Sequence, residues 1–344
     1  MKRFARIAGQ STCTKALHRR AISLSRILVV APNWIGDTLM AQPLLVRLRA
    51  KHPGARIDMV APPWVAPVAR RMPEVSEVIE ADLRHGELQL GERWRLGRML
   101  KERGYERAIV LPNTMKSALA PSFAGIPLRV GYLGESRLGL LNRIHKAKEP
   151  REPMPVHYAR LAEEPGTEPA LPLPFTALSF SKEGIKATAD RFGISGAYTV
   201  FCPGAEYGPA KRWPYFRELA ARLDAQVVLL GSASDKKDAA QISGRNLVGQ
   251  TTLDEAIDLI AGAAMVVSND SGLMHVAAAA GRPQVALFGS SSPEHTPPLS
   301  AAVRVVWLKV ECSPCFERVC PLGHFKCMNG IAVERVLEEI KLLS

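Results

Sequence analysis

The chain has 344 residues, 47% of them hydrophobic and 23% charged, and a formal net charge of +12. That length suits two domains of ordinary size, and no apolar run approaches the ~20 residues of a membrane-spanning helix. Seven basic residues and no acid fall within residues 1–26, so the body is only mildly basic, which argues against nucleic acid as a partner and suits an anionic substrate or membrane surface.

Residues 1–25 form an Arg-rich, acid-free extension that lacks the continuous apolar stretch of a secretory signal. They are expected to be a disordered tail. The next segment, from Arg26 to Pro32, is a short apolar run, as a buried parallel strand requires. The turn Asn33-Trp-Ile-Gly-Asp37 follows it, and Met40, Leu44, Leu45 and Leu48 then mark one helix face. Strands are expected at 56–61, 75–81 and 107–112, with helices at 94–103 and 115–123. Strand–helix alternation of this kind argues a parallel sheet covered on both faces.

Seven prolines between 148 and 180 interrupt the rhythm. That density is expected to exclude regular helix and central strand, and marks the stretch as an interdomain connection. Alternation then resumes, with strands at 198–203, 226–231, 264–268 and 284–289, and helices at 214–223, after Asp235, at 253–261, 273–280 and 333–343. The domain reading is an N-terminal lobe over 26–165 and a C-terminal lobe over 166–344, with a cysteine-rich segment at 312–327.

The strongest local signal is Ser268-Asn-Asp-Ser-Gly-Leu-Met-His275, between a strand and a helix. Small residues allow a sharp turn and close approach of a ligand, and the helix N-terminus favours an anion such as a diphosphate. Helix capping by Asp270 or Ser271 explains the same residue types equally well. A second small-residue loop, Gly289-Ser-Ser-Ser-Pro293, ends the next strand, and in open α/β sheets ligands bind beyond those strand ends. Asp37 at the end of the first strand reads either as a cap or as a general base facing a cleft. Lys211 and Arg212 close the loop after the first strand of the second lobe, either as phosphate-directed cations or as solvated charges. His275 is a helix residue with a weaker claim to ligand contact. Cys312, Cys315, Cys320 and Cys327, with His324, have spacing that could hold zinc or belong to a reduced loop; no metal is assigned. No Asp-x-Asp, Walker loop or Gly-x-Gly-x-x-Gly occurs, which disfavours metal-dependent diphosphate clamps, P-loop kinases and ordinary dinucleotide dehydrogenases.

Four segments together resemble the bacterial lipopolysaccharide heptosyltransferases of glycosyltransferase family nine. They are Pro32–Met40, Pro203–Pro214, Ser268–His275 and Cys312–His324. The Trp-Ile-Gly-Asp segment and the cysteine-rich tail favour the second of that family's two enzymes over the first; the first enzyme or another family-nine transferase is the alternative. The resemblance runs from about Arg26 to the C-terminus. It implies a GT-B fold, two Rossmann-like lobes around a cleft, and no cofactor. It implies inverting transfer of L-glycero-D-manno-heptose from ADP-heptose to the first heptose of the inner core, on a lipid A–Kdo–heptose acceptor at the inner face of the inner membrane, by a cytoplasmic, peripheral enzyme. By that likeness Asp37 is the base and Lys211 a donor-phosphate contact. Asp270, Ser271, Gly272, Leu273 and Met274 form the donor turn, and Asp235 lies near a ribose-binding acid. A nucleotide-sugar epimerase on the same fold is the rival enzyme class, and a basic binding protein the rival without catalysis.

Overall fold

The computed structural model describes residues 25–83, 86–149 and 151–343. The basic extension at 1–24 lies outside them. Two six-stranded sheets, parallel throughout, make up the frame. The first contains β1 (Arg26–Val30), β2 (Arg56–Ala61), β3 (Glu77–Glu80), β4 (Arg107–Val110), β5 (Leu128–Tyr132) and β6 (Arg143–His145). Its order is β3-β2-β1-β4-β5-β6. The second contains β7 (Tyr198–Cys202), β8 (Gln226–Leu229), β9 (Arg245–Asn246), β10 (Met265–Asn269), β11 (Gln284–Phe288) and β12 (Val303–Trp307), in the order β12-β11-β10-β7-β8-β9.

Counted from its own first strand, each sheet runs 3-2-1-4-5-6. The two halves therefore repeat one doubly wound topology with no visible sequence repeat. In each, the strand order reverses between the first and fourth strands, and this is where such sheets open a crevice. The central strands are apolar because both faces are covered: β7, β10 and β11 are buried along their whole length.

Helix Ile35–Met40 leaves the carboxyl end of β1, and helix Gly272–Ala279 leaves that of β10. They pack on one another across the two halves through their glycines. A Cβ added at Gly36 would stand 2.8 Å from His275 Cδ2, and one at Gly272 would stand 3.0 Å from Ile35 Cβ. A methyl group at Gly36 would force His275 to shift, and one at Gly272 would press tightly on Ile35. A second tie is polar: Arg71 donates to Asp258 Oδ1 at 2.6 Å and to Asp254 Oδ1 at 3.1 Å.

The proline-rich stretch corrects one expectation. It holds a regular helix, Met154–Arg160. Pro153 is its N-cap and Pro155 lies in its first turn, where a missing N–H breaks no intrahelical bond. The helix lies against helix Gln42–Lys51, and Arg47 and Lys51 both pair with Glu163. Beyond it the chain binds both halves, Ser179 donating to Arg71 O and Thr176 to Leu299 O. Among the described residues no helix is long and apolar enough to cross a membrane.

Candidate active site

The two crevices face each other, and the ends of four strands, β1, β7, β10 and β11, supply the polar groups. Asp37 lies at the third position of the helix after β1. That position could have made it a cap, but Trp34 occupies the cap position and no side chain caps this helix. The Asp37 carboxylate instead takes a proton donor from the unexpected helix: Tyr158 Oη donates to Asp37 Oδ1 at 3.3 Å. Desolvation is the largest influence on Asp37 and pushes its pKa up from 3.8 to about 6; the Tyr158 hydrogen bond and the Lys211 charge oppose the rise, and the Asp270 charge adds to it. Burial, with the Asp37 carboxylate beside it, pushes the Tyr158 phenol far above its ordinary value, so it remains a donor.

Lys211 follows β7 in a 3₁₀ turn, Pro209–Lys211. Its Nζ lies 2.6 Å from Asp270 Oδ2 and 4.7 Å above the Tyr207 ring. Ser291, from the small-residue loop after β11, donates its hydroxyl to the same Asp270 oxygen. The sequence pointed to that loop, but not to Ser291 in particular.

Ser271 is the N-cap of helix Gly272–Ala279, yet its side chain makes no capping bond. Its hydroxyl stands 3.4 Å from Ser268 Oγ instead. The first N–H groups of this helix therefore have no side-chain acceptor and sit at the positive end of the helix dipole. An anion is the group that suits them.

Gly272 provides close approach, while Leu273 and Met274 pack their side chains into two cores and present only N–H groups to the turn. His275 is buried against Gly36. Desolvation first of all lowers its pKa to about 4, so the imidazole is neutral. Its place is the seam between the two helices.

Asp235 stands apart from this group. It follows β8 as part of a capping box, accepting from Ser232 N at 2.9 Å and Ser232 Oγ at 2.8 Å. Its carboxyl rests on the backbone after β7, where a Cβ at Gly204 would fall 2.1 Å from Asp235 Cγ. Its Oδ1 is buried without a hydrogen-bond partner, Arg212 Nη2 lying 3.9 Å away.

The five cysteines among the described residues are unpaired. Cys312, Cys315, Cys320, Cys327 and His324 line a small cavity of about 20 Å³ behind the β11 loop. Among the described residues, no group of three or more His, Cys, Asp or Glu side chains is placed to hold a metal ion.

Two Rossmann-type halves with a carboxylate on one side of the cleft, and a lysine and an open helix N-terminus on the other, define a GT-B nucleotide-sugar transferase. The family model for glycosyltransferase family 9 (heptosyltransferase) matches residues 93–326. The chain is 45% identical to lipopolysaccharide heptosyltransferase 2 of Escherichia coli K12, over 92% of this chain and 98% of that one. It is 42% identical to lipooligosaccharide heptosyltransferase 2 of Haemophilus influenzae, over 82% and 88%. The solved structure of E. coli ADP-heptose lipopolysaccharide heptosyltransferase II superposes with a TM-score of 0.82 at 43% identity, covering 92% of this chain and 98% of that one. The chain belongs to glycosyltransferase family 9, the heptosyltransferases.

Proposed function

We propose that this enzyme moves L-glycero-D-manno-heptose from ADP-heptose to the first heptose of the lipopolysaccharide inner core, with inversion. The uncapped N-terminus of helix Gly272–Ala279, facing Lys211, carries the reading, because it is built for a diphosphate. An acceptor hydroxyl gives its proton to Asp37 as its oxygen bonds to the anomeric carbon. The bond from that carbon to the ADP oxygen breaks, and the electron pair leaves with ADP. The charge growing on the diphosphate meets the helix N–H groups and Lys211, where one stabilising donor is worth ~10²–10³ in rate. The acceptor oxygen attacks the face of the anomeric carbon opposite the departing ADP, so a single displacement inverts it. Asp235 serves the donor ribose with its unpaired oxygen.

The acceptor is lipid A carrying Kdo and one heptose. The enzyme acts from the cytoplasm at the inner face of the inner membrane, and its lobes divide near residue 165. ADP-heptose offered with acceptors bearing zero, one or two heptoses tests the reading. Transfer to the one-heptose acceptor alone is expected. Transfer to the heptose-free acceptor, or isomerised donor without any acceptor, would refute it.

A further inference from the structure

Beside the cleft, the first sheet carries an open cavity of about 60 Å³ at the carboxyl ends of its strands. Its floor is apolar, from residues such as Val60, Leu96 and Leu100. Its polar lining is Asn33, Arg93, Thr114, Lys116 and Ser117, and among the described residues no acidic one lines it.

Arg93 is the anomaly there. It is only 4% exposed. Its guanidinium donates to two carbonyls, Leu88 O at 2.7 Å and Lys116 O at 2.9 Å, and has no carboxylate partner among the described residues. Burial alone lowers its pKa, with no acid to oppose the effect. Buried arginines are usually paired, as Arg160 is with Glu152 and Glu168, although Arg137 too donates only to carbonyl oxygens, those of Pro112, Asn113 and Tyr132. Lys116, from the other wall, spends its ammonium on one carbonyl, Glu87 O at 3.2 Å. Arg93 and Lys116 thus both line an open cavity to which no described acidic side chain contributes. The cavity also touches the catalytic turn: Asn33 lines it, four residues before Asp37 on the same connection.

We propose that this cavity is an oxyanion subsite for the acceptor, in which Arg93 and Lys116 receive an acidic group of the lipid-linked sugar while the hydroxyl to be glycosylated lies at Asp37. The subsite rests on the function proposed above and adds a recognition element to it. A sugar carboxylate and a phosphate present the same chemistry to a guanidinium and an ammonium. Binding there fixes the acceptor's register against the base, so it lowers the acceptor KM.

Steady-state transfer with three forms of the one-heptose acceptor tests this: untreated, with carboxylates esterified, and with phosphates removed. One of the two treatments should raise the wild-type acceptor KM about ten-fold or more, as expected for losing a charge-assisted hydrogen bond. Lys116→Gln should raise the KM for untreated acceptor similarly and be indifferent to that same treatment, with the ADP-heptose KM unchanged. Arg93→Lys, which keeps the charge but loses the fork, should show the same pattern, with melting curves reporting its folding. An unchanged acceptor KM in a folded Lys116→Gln enzyme overturns the subsite, as does a wild-type KM blind to both treatments. Failure of the wild-type enzyme to transfer heptose to any acceptor would instead overturn the function on which it rests.

Discussion

Tyr158 and Asp37 meet across two helices, the phenol donating to Asp37 Oδ1 at 3.3 Å. The contact joins a residue from the proline-rich connection to the carboxylate at the end of β1. It favours the ionised form of a carboxyl that burial holds at about 6. A base works only when ionised, so kcat/KM should fall below about pH 6 and level off above it. Tyr158→Phe removes a contact that lowers this pKa. The acid limb of its pH–rate profile should move to higher pH, and an unmoved limb would separate Tyr158 from the titration.

The same raised pKa makes a stability prediction. The folded state keeps a proton on Asp37 at pH values where the unfolded chain, near 3.8, has lost it. Stability therefore falls as pH rises through roughly the window from 4 to 6, and the deficit is complete above it. Asp37→Asn should melt higher than the wild type at pH 7.5, with the difference shrinking toward pH 4. Equal melting temperatures at both pH values would count against the burial cost.

Lys211 neutralises Asp270, which is only 5% exposed. Lys211→Ala leaves that carboxylate with the Ser291 hydroxyl alone. Breaking a buried pair from one side costs about 3 kcal/mol or more. The variant should melt lower, bind ADP more weakly by calorimetry, and lose ~10²–10³ in turnover. Wild-type ADP affinity in a folded Lys211→Ala protein would remove this residue from the donor site.

Gly36 is a contact point between the helix that carries Asp37 and the helix that begins at Gly272. A methyl group there would press on His275 Cδ2 at 2.8 Å. Overpacking of this kind costs about 1–3 kcal/mol, and here relief requires the Asp37 helix to move away from the donor turn. Gly36→Ala should lower both stability and turnover. A variant with unaltered melting and kinetics would show that the seam yields freely.

Much of the fold was legible because buried parallel strands are short apolar runs between helical periods, as at β1, β7 and β10. β5, β6 and β12 were missed because Arg129, Arg143 and Arg304 interrupt runs lying toward the sheet edges, where one side need not be apolar. The helix Met154–Arg160 was hidden because its prolines, read as breakers, occupy the cap and first turn. Tyr158 was hidden with it. Spacing alone could not separate a capping Asp37 from a catalytic one, since both stand in a first helical turn. The extended Trp34 and the uncapped helix exclude the capping role, which leaves the base as the role proposed for Asp37. The ambiguity at Ser271 has the same origin and the same resolution.

The central claim is that Asp37 takes the acceptor's proton while the opposite side of the cleft holds ADP. Measuring heptose transfer and ADP affinity together on Asp37→Asn tests it most directly. Turnover reduced by ~10²–10⁴ with unchanged ADP affinity is the expected result. Wild-type turnover in the folded variant would contradict it.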